Sequence, residues 1–132
     1  MNEILPTNVI IISHGEIGQH MFDVVIKTYG KLPIPTKILS VHYAASVQSV
    51  IDNLSEYINS IAKHSAILIL TDLIGSTPSN VAVTFSKKTN IKIVSGLNLP
   101  MLMRVMNYPE LSLEELAEKA ISGGREGIGY CK

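Results

Sequence analysis

The chain has 132 residues, of which 11 are basic (Lys or Arg) and 11 are acidic, so its formal net charge is zero. This length suits one domain with a substantial core, and the balanced charge gives no electrostatic support for binding to nucleic acid or an anionic membrane surface. The single cysteine, Cys131, suits a reducing compartment, and we expect a cytoplasmic protein because the sequence contains neither a membrane-length apolar run nor a signal peptide.

Apolar, β-branched runs predict four strands, near residues 8–13, 37–42, 66–71 and 91–95. Apolar residues at helical spacing predict helices near residues 16–28, 46–62, 78–88, 99–107 and 113–122. Unbroken apolar runs such as Ala66–Leu70 indicate strands buried on both faces, and the alternation of strands with helices requires right-handed crossovers. We therefore predict one α/β domain over residues 1–132, with a doubly wound, open, mainly parallel sheet of four strands flanked by helices.

A histidine directly follows the first predicted strand. The run Val9–Ser13 leads into His14 and Gly15, and then into the apolar spacing of a helix. This order predicts a strand, a tight turn and a helix, with His14 at the carboxyl end of the strand. Ligands of open parallel sheets bind at this edge, toward which the helix N-termini direct their amide groups. His14 is therefore the leading candidate for a functional residue.

The loop after the third predicted strand carries the second candidate. Asp72 follows this strand as His14 follows the first, and Gly75 allows close approach of the backbone to a ligand. Thr77 is expected to be the N-cap of the next helix, with Pro78 at its first position. If the first and third strands are neighbours where the winding reverses, the Asp72 carboxylate and the His14 imidazole meet in one crevice.

An imidazole beside a carboxylate suits phosphoryl transfer. A carboxylate that accepts one imidazole N–H fixes the tautomer and leaves a lone pair on the other nitrogen, as a histidine nucleophile requires. We expect His14 and Asp72 to be the catalytic pair, and a third loop, residues 96–100, to close the same crevice. The residues predicted to bind the phosphoryl group or to line the site are Gly15, Gly75, Ser76, Thr77 and Asn98. A metal site is not expected, because this pair offers too few ligands.

Ordinary structural roles are the alternative interpretation of these residues. A histidine at a strand end is more often a rim or core residue, and a helix cap alone accounts for Thr77–Pro78. Asn98 is equally typical of a loop residue that hydrogen-bonds its own backbone. The coincidence of three loops on one sheet edge favours the functional interpretation. His42 also ends a strand and is placed to line the rim of the crevice. We nevertheless expect three histidines to have ordinary structural roles, namely His20, His42 and His64.

These segments resemble the mannose-type enzyme IIA (EIIA) domain of the bacterial phosphotransferase system over nearly the whole chain. Ile12–Gly15 resembles that family's phosphorylated-histidine turn, residues 72–80 its second loop, residues 96–102 its third loop, and Gly124–Gly127 its C-terminal signature. The resemblance implies a phosphotransferase component in which His14 accepts a phosphoryl group from the phosphohistidine of the carrier protein HPr. His14 would pass it to an enzyme IIB (EIIB), while Asp72 orients and tunes the imidazole. No cofactor is implied.

Two residues depart from that family's pattern. Ser76 stands where a glycine is common, and Ser79 where sugar-transporting members typically have a phenylalanine. The sequence ends at Lys132 without a fused EIIB domain, so the acceptor is expected to be a separate protein or the target of a regulatory phosphorelay. These differences leave open whether the role is sugar transport or regulation.

Two other classes of function stay open. One is a regulatory binding module whose phosphorylated and unphosphorylated forms dock different targets without net sugar transport. The other is a histidine-phosphatase-like enzyme for small phosphate esters, because Ser13–Glu16 is similar to the Arg-His-Gly-Glu segment of those enzymes. The serine in place of that arginine, which would clamp phosphate, argues against this second class.

The last stretch of the chain, Ser122–Tyr130, predicts a short strand and a homodimer. Gly123 and Gly124 are expected to end the last helix, and Ile128 and Tyr130 then have the two-residue spacing of a strand. A strand this short gains stability only by pairing with a sheet edge. In the family that the chain resembles, the final segment joins the sheet of the partner subunit, which implies a symmetric dimer here.

Overall fold

Four parallel strands form the central sheet of the protein. The structure is a computed structural model that describes residues 6–61 and 63–132. The strands lie in the order β2-β1-β3-β4. Their bounds are β1 (Thr7–His14), β2 (Thr36–Val41), β3 (Ala66–Thr71) and β4 (Ile91–Ser95). All six residues of β3 are buried, as the unbroken apolar run predicts. The four predicted strands are confirmed.

Five helices connect and cover these strands within the described residues. They are α1 (Ile17–Tyr29), α2 (Val47–Ser60), α3 (Thr77–Val83), α4 (Leu99–Met106) and α5 (Leu113–Glu126). The prediction that α2 reaches residue 62 ends on a residue outside the described part of the chain. None of the helices in the described ranges is both long and apolar enough to cross a membrane.

The third helix is shorter than its predicted range of 78–88. It ends at Val83, and the backbone N–H groups of Thr84, Phe85 and Ser86 bond to carbonyl groups three residues earlier. The Thr84 hydroxyl also donates to the Val81 carbonyl. These tight turns replace the α-helical pattern because local side-chain hydrogen bonds compete with it.

The helices cover both faces of the sheet. On one face, Ile11 of β1 packs in a core with residues of α1, α4 and α5, including Leu102 and Leu116. On the other face, Ile12 packs with residues of α2 and α3, including Leu54 and Val81. The sheet is therefore doubly wound, as predicted, and the winding reverses between β1 and β3, which are hydrogen-bonded neighbours. The carboxyl ends of β1 and β3 therefore meet where the winding reverses, which is the place where open α/β sheets usually bind their ligands.

The prediction that the last helix ends at Gly123 and Gly124 is wrong. The α5 helix continues through both to Glu126, and both glycines are buried. A Cβ atom on Gly123 would lie 2.5 Å from the Cβ of Arg104, so the glycine allows α4 and α5 to pack closely. The Nη2 of Arg104 also bonds to the Oε2 of Glu126 at 2.7 Å. Tertiary packing thus outweighs the low helix propensity of glycine.

The predicted C-terminal strand is not confirmed. Residues 128–132 follow α5 without any strand in the described chain. Ile128 and Tyr130 have largely exposed side chains. The α5 helix therefore ends four residues later than Ser122, where the sequence analysis ended it, and residues 128–132 form what we call the C-terminal tail.

The close contact between α4 and α5 predicts the effect of Gly123→Ala. An alanine in a helix interior usually adds about 1 kcal/mol of stability relative to glycine, whereas overpacking costs about 1–3 kcal/mol. Because the added Cβ would lie only 2.5 Å from the Cβ of Arg104, we expect a cost in the upper part of this range. Gly123→Ala should therefore lower the free energy of unfolding by about 1–2 kcal/mol, measured by urea denaturation. Gly129→Ala is the control, because no atom lies within 4 Å of its added Cβ. A Gly123→Ala protein as stable as the unsubstituted one would contradict this account.

Candidate functional site

The structure brings His14 and Asp72 together at the carboxyl edge of the sheet. His14 is the last residue of β1, and Asp72 follows the last residue of β3. The ring Nδ1 of His14 lies 2.8 Å from the Oδ2 of Asp72. The backbone N–H of His14 donates to the same oxygen at 2.9 Å. The meeting of this pair depends on the pairing of β1 with β3, as the sequence predicts.

The two hydrogen bonds define which ring nitrogen faces outward. An ionised carboxylate is only an acceptor, so the Nδ1–H of His14 donates a hydrogen bond to Asp72, and in the neutral ring the Nε2 keeps a lone pair. The His14 side chain is 32% exposed and that of Asp72 is 11% exposed. The Oδ1 of Asp72 is buried and has no hydrogen-bond partner among the described residues. The pair therefore presents a partly exposed imidazole supported by a largely desolvated carboxylate.

The turn that carries His14 is held on both sides. Gly15 adopts a φ of 48°, in the left-handed region that glycine tolerates. Its backbone N–H donates to the Val41 carbonyl at the end of β2, at 2.8 Å. On the other side, the buried Ser13 hydroxyl accepts a hydrogen bond from the backbone N–H of Gly18 in α1. Gly15 thus lies beside His14, where the sequence expects it.

The second loop differs from its prediction by one residue. Ser76, not Thr77, is the N-cap of α3, so Pro78 occupies the second helical position. The Ser76 hydroxyl donates to the Leu73 carbonyl instead of capping the helix. This local bond turns the loop before the helix begins, which displaces the cap. The Thr77 hydroxyl makes no hydrogen bond within residues 6–61 and 63–132, and its side chain is exposed.

The third loop uses Asn98 for structure. Its Oδ1 accepts the backbone N–H of Met101 at 2.9 Å, so Asn98 caps α4. Its Nδ2 donates to the Gly124 carbonyl in α5 at 3.1 Å. Both ends of the amide side chain are therefore engaged by backbone, and the structure does not direct them to His14. This agrees with the ordinary role considered for Asn98 from the sequence.

A buried hydroxyl cluster next to Asp72 was not found from the sequence. The Oγ1 of Thr71 lies 2.8 Å from the Oγ of Ser95, which lies 3.3 Å from the Oγ of Ser79. These contacts join the ends of β3 and β4 to the first turn of α3, and so hold the strand end that carries Asp72. The only signal in the sequence is a hydroxyl residue at the end of β3 and another at the end of β4. Hydroxyl residues at strand ends are too common for this pattern to indicate a cluster.

Exposed apolar side chains surround the same sheet edge, and sequence analysis also missed them. We call the following set the apolar rim: Ile17, Tyr43, Val47, Leu73 and Ile74. They occupy the loops and first helical turns that follow β1, β2 and β3, and the side chain of Ile74 is 79% exposed. His42 lies on this edge with its Nε2 3.7 Å from the Oε1 of Glu16. Exposed apolar groups of this number around one site are typical of protein-binding surfaces.

Among the described residues, no three His, Cys, Asp or Glu side chains are grouped closely enough to hold a metal ion.

Comparison with known proteins identifies the family. The chain matches the EIIA-man family model, described as the PTS system fructose IIA component, over residues 8–121. The protein therefore belongs to this family of phosphotransferase system (PTS) components. The match confirms the resemblance found in the sequence, and it does not favour the histidine-phosphatase alternative.

Individual relatives agree with the family match. The PTS system fructose-specific EIIA component of Bacillus subtilis (strain 168) is 24% identical, over 84% of this chain and 87% of the relative. The mannose/sorbose-specific IIA subunit of the phosphotransferase system from Enterococcus faecalis has a TM-score of 0.88 and 23% identity, over 97% of this chain and 96% of that one. The component EIIA from Streptococcus agalactiae has a TM-score of 0.81 and 28% identity, over 94% of this chain and 96% of that one. These structures confirm the α/β fold.

Proposed function

We propose that the protein is a phosphocarrier that accepts a phosphoryl group on the Nε2 of His14 from phospho-HPr. The observation that carries this proposal is the 2.8 Å contact between His14 Nδ1 and Asp72 Oδ2 at the exposed edge of the sheet. The phosphoryl group then passes to an EIIB component or to a regulatory target. Membership of the EIIA-man family supports this role. The proposal places the protein in the cytoplasm with HPr.

The transfer requires no co-reactant. The lone pair on His14 Nε2 attacks the phosphorus atom, a new N–P bond forms, and the N–P bond of the donor's phosphohistidine breaks with its electron pair returning to the donor imidazole. The His14 ring, protonated on Nδ1 and phosphorylated on Nε2, then carries a positive charge. The Asp72 carboxylate stabilises this charge because it already accepts the Nδ1 proton. In the transfer to the acceptor, an acceptor nucleophile attacks the same phosphorus atom, the N–P bond of His14 breaks, and its electron pair returns to Nε2.

We expect the second loop to hold the phosphoryl oxygens. The Thr77 hydroxyl is free of hydrogen bonds in the described chain, and the first turn of α3 has backbone N–H groups without helical partners. Gly75 adopts a φ of 81° and has no side chain, so no side chain at this position covers the backbone that precedes α3. Ser76 retains acceptor capacity and lines the loop. Asn98 contributes by shaping the third loop, since both ends of its amide are already bonded.

The apolar rim favours a protein as the phosphoryl donor and acceptor. A site for a small phosphate ester would be a cleft that covers its ligand, whereas the apolar side chains here point outward around a half-exposed histidine. Apolar side chains at the centre of a contact are typical of protein–protein interfaces. A partner that presents its own histidine on a flat surface would fit this arrangement.

One prediction from the proposed function concerns the phosphorylated residue. Incubation with the general phosphotransferase enzyme, HPr and phosphoenolpyruvate should add one phosphoryl group per chain, labile in acid and stable in base. His14→Ala should abolish the label, measured by intact mass and by radioactive phosphate. His42→Ala is the matched control, because His42 lies on the same edge and should leave the label unchanged. Label that persists in His14→Ala would refute the proposal.

Another prediction from the proposed function concerns Asp72→Asn. The amide keeps the shape of the carboxylate but not its charge, so it stabilises the phosphorylated imidazolium less well. We expect phosphorylation by phospho-HPr to become about ten- to a hundredfold slower, which corresponds to roughly 1.4–2.7 kcal/mol, while the melting temperature changes little. Asp23→Asn, on the exposed side of α1, is the control. An unchanged transfer rate in Asp72→Asn would remove Asp72 from the reaction.

We also propose a homodimer in which the C-terminal tail of each chain pairs with the sheet of the other. The β4 strand is at the edge of the sheet, and a groove of about 920 Å³ runs along it between α3 and α5. Its apolar lining includes Val83, Ile93 and Ile121, and Ile128 of the tail lies at its border. An apolar groove beside an unpaired strand edge suits an added strand.

Light scattering tests the dimer. The full chain should have the mass of a dimer at micromolar concentration, and a chain that ends at Gly127, which keeps all of α5, should shift toward the monomer. Lys31→Ala, at an exposed position after α1 and away from β4, should leave the mass unchanged. A monomeric full chain would refute the dimer, and an undiminished dimer after truncation would refute the role of the tail.

A further inference from the structure

Three consecutive residues at the end of β1 are each tied to a different element. The Ser13 hydroxyl bonds to α1, the backbone N–H of His14 bonds to Asp72 after β3, and the backbone N–H of Gly15 bonds to Val41 in β2. The bonds of His14 and Gly15 use backbone groups, which every residue type except proline possesses. The bond of Ser13 requires a side-chain hydroxyl, so this tie depends on the sequence.

The Ser13 hydroxyl lies where the start of α1 would otherwise be uncapped. Glu16 is the N-cap residue of α1, but its side chain makes no capping hydrogen bond. The Ser13 hydroxyl instead accepts the backbone N–H of Gly18 at 2.9 Å, and the Ser13 residue is fully buried. A buried N–H without a partner is costly, so this hydroxyl fixes the position of the first turn of α1 relative to β1.

Gly18 makes the approach possible. A Cβ atom at this position would lie 2.8 Å from the Ser13 Oγ and 2.6 Å from the Cγ2 of Ile11. Both distances are shorter than ordinary van der Waals contact. The first turn of α1 therefore rests directly on the end of β1, one residue before His14.

We propose that Ser13 is a positioning residue for phosphoryl transfer, whose hydrogen bond to Gly18 keeps the His14 ring aligned with Asp72. This inference rests on the proposed function. Without the hydroxyl, the first turn of α1 is free to move away from β1, and the turn that carries His14 loses one of its three ties. Group transfer is sensitive to displacements of this size, because the reacting atoms must be held close to their reactive geometry.

The test compares four variants by their melting temperature and by two measurements of the site. Ser13→Ala removes the hydroxyl, Ser13→Thr retains it, and Gly18→Ala displaces it from the opposite side. Ser40→Ala is the matched control, because Ser40 lies opposite Ser13 on the neighbouring strand β2 and its hydroxyl makes no hydrogen bond in the described part of the chain. The measurements are the rate of phosphorylation as a function of phospho-HPr concentration, and the nitrogen-15 NMR shifts of the His14 ring, which report its tautomer.

We expect Ser13→Ala and Gly18→Ala to lower the rate at saturating phospho-HPr about tenfold, with little change in the concentration that gives half of that rate. Their ring shifts should move toward a mixture of tautomers, while Ser13→Thr and Ser40→Ala should keep both properties. Gly18→Ala should also lower the melting temperature, although alanine is the better helix former.

The proposal fails if both variants transfer phosphoryl groups at the original rate with an unchanged tautomer and only their melting temperatures fall, since Ser13 would then be a helix cap alone. An unsubstituted protein that phospho-HPr does not phosphorylate would refute the proposed function instead. The tautomer measurement would still decide whether Ser13 aligns the His14 ring.

Discussion

The Oδ2 atom of Asp72 accepts two hydrogen bonds from one residue, the backbone N–H of His14 at 2.9 Å and its ring Nδ1 at 2.8 Å. Because the first bond fixes the carboxylate relative to the main chain, the second fixes the plane and the tautomer of the ring. The Nε2 must then face outward with its lone pair. Every further step of the proposed chemistry uses this orientation, from attack on phosphorus to stabilisation of the charged product.

The fold supplies this contact through the order of its strands. A parallel sheet places the carboxyl ends of all strands at one edge, and the reversal of winding between β1 and β3 makes His14 and Asp72 neighbours there. The hydroxyl cluster of Thr71, Ser79 and Ser95 then holds the end of β3 against β4 and α3. The site is thus supported by strands buried on both faces, and a rigid support of this kind keeps functional groups in position.

The sequence predicted the parts of the structure that depend on short-range patterns. Unbroken apolar runs indicated the buried strands β1 and β3, and short β-branched segments indicated β2 and β4. The placement of His14 and Asp72 after two of these strands made their meeting a consequence of strand order. The errors arose where long-range packing or local hydrogen bonds compete with such patterns. Gly123 breaks an isolated helix, but in α5 it allows contact with Arg104. Ser76, not Thr77, is the N-cap residue of α3, and its hydroxyl bonds to the Leu73 carbonyl instead of to the helix. The apolar rim has no periodicity in sequence, because its members come from three separate loops.

The central claim is that Asp72 directs the Nε2 of His14 toward the phosphoryl donor, and NMR of the phosphorylated protein tests it most directly. Nitrogen-15 and phosphorus-31 spectra of protein labelled at histidine report which ring nitrogen carries the proton before the reaction and which carries phosphorus after it. We expect a proton on Nδ1 in the free protein and phosphorus on Nε2 in the product. Phosphorus on Nδ1 of His14, or a free ring protonated on Nε2 alone, would contradict it.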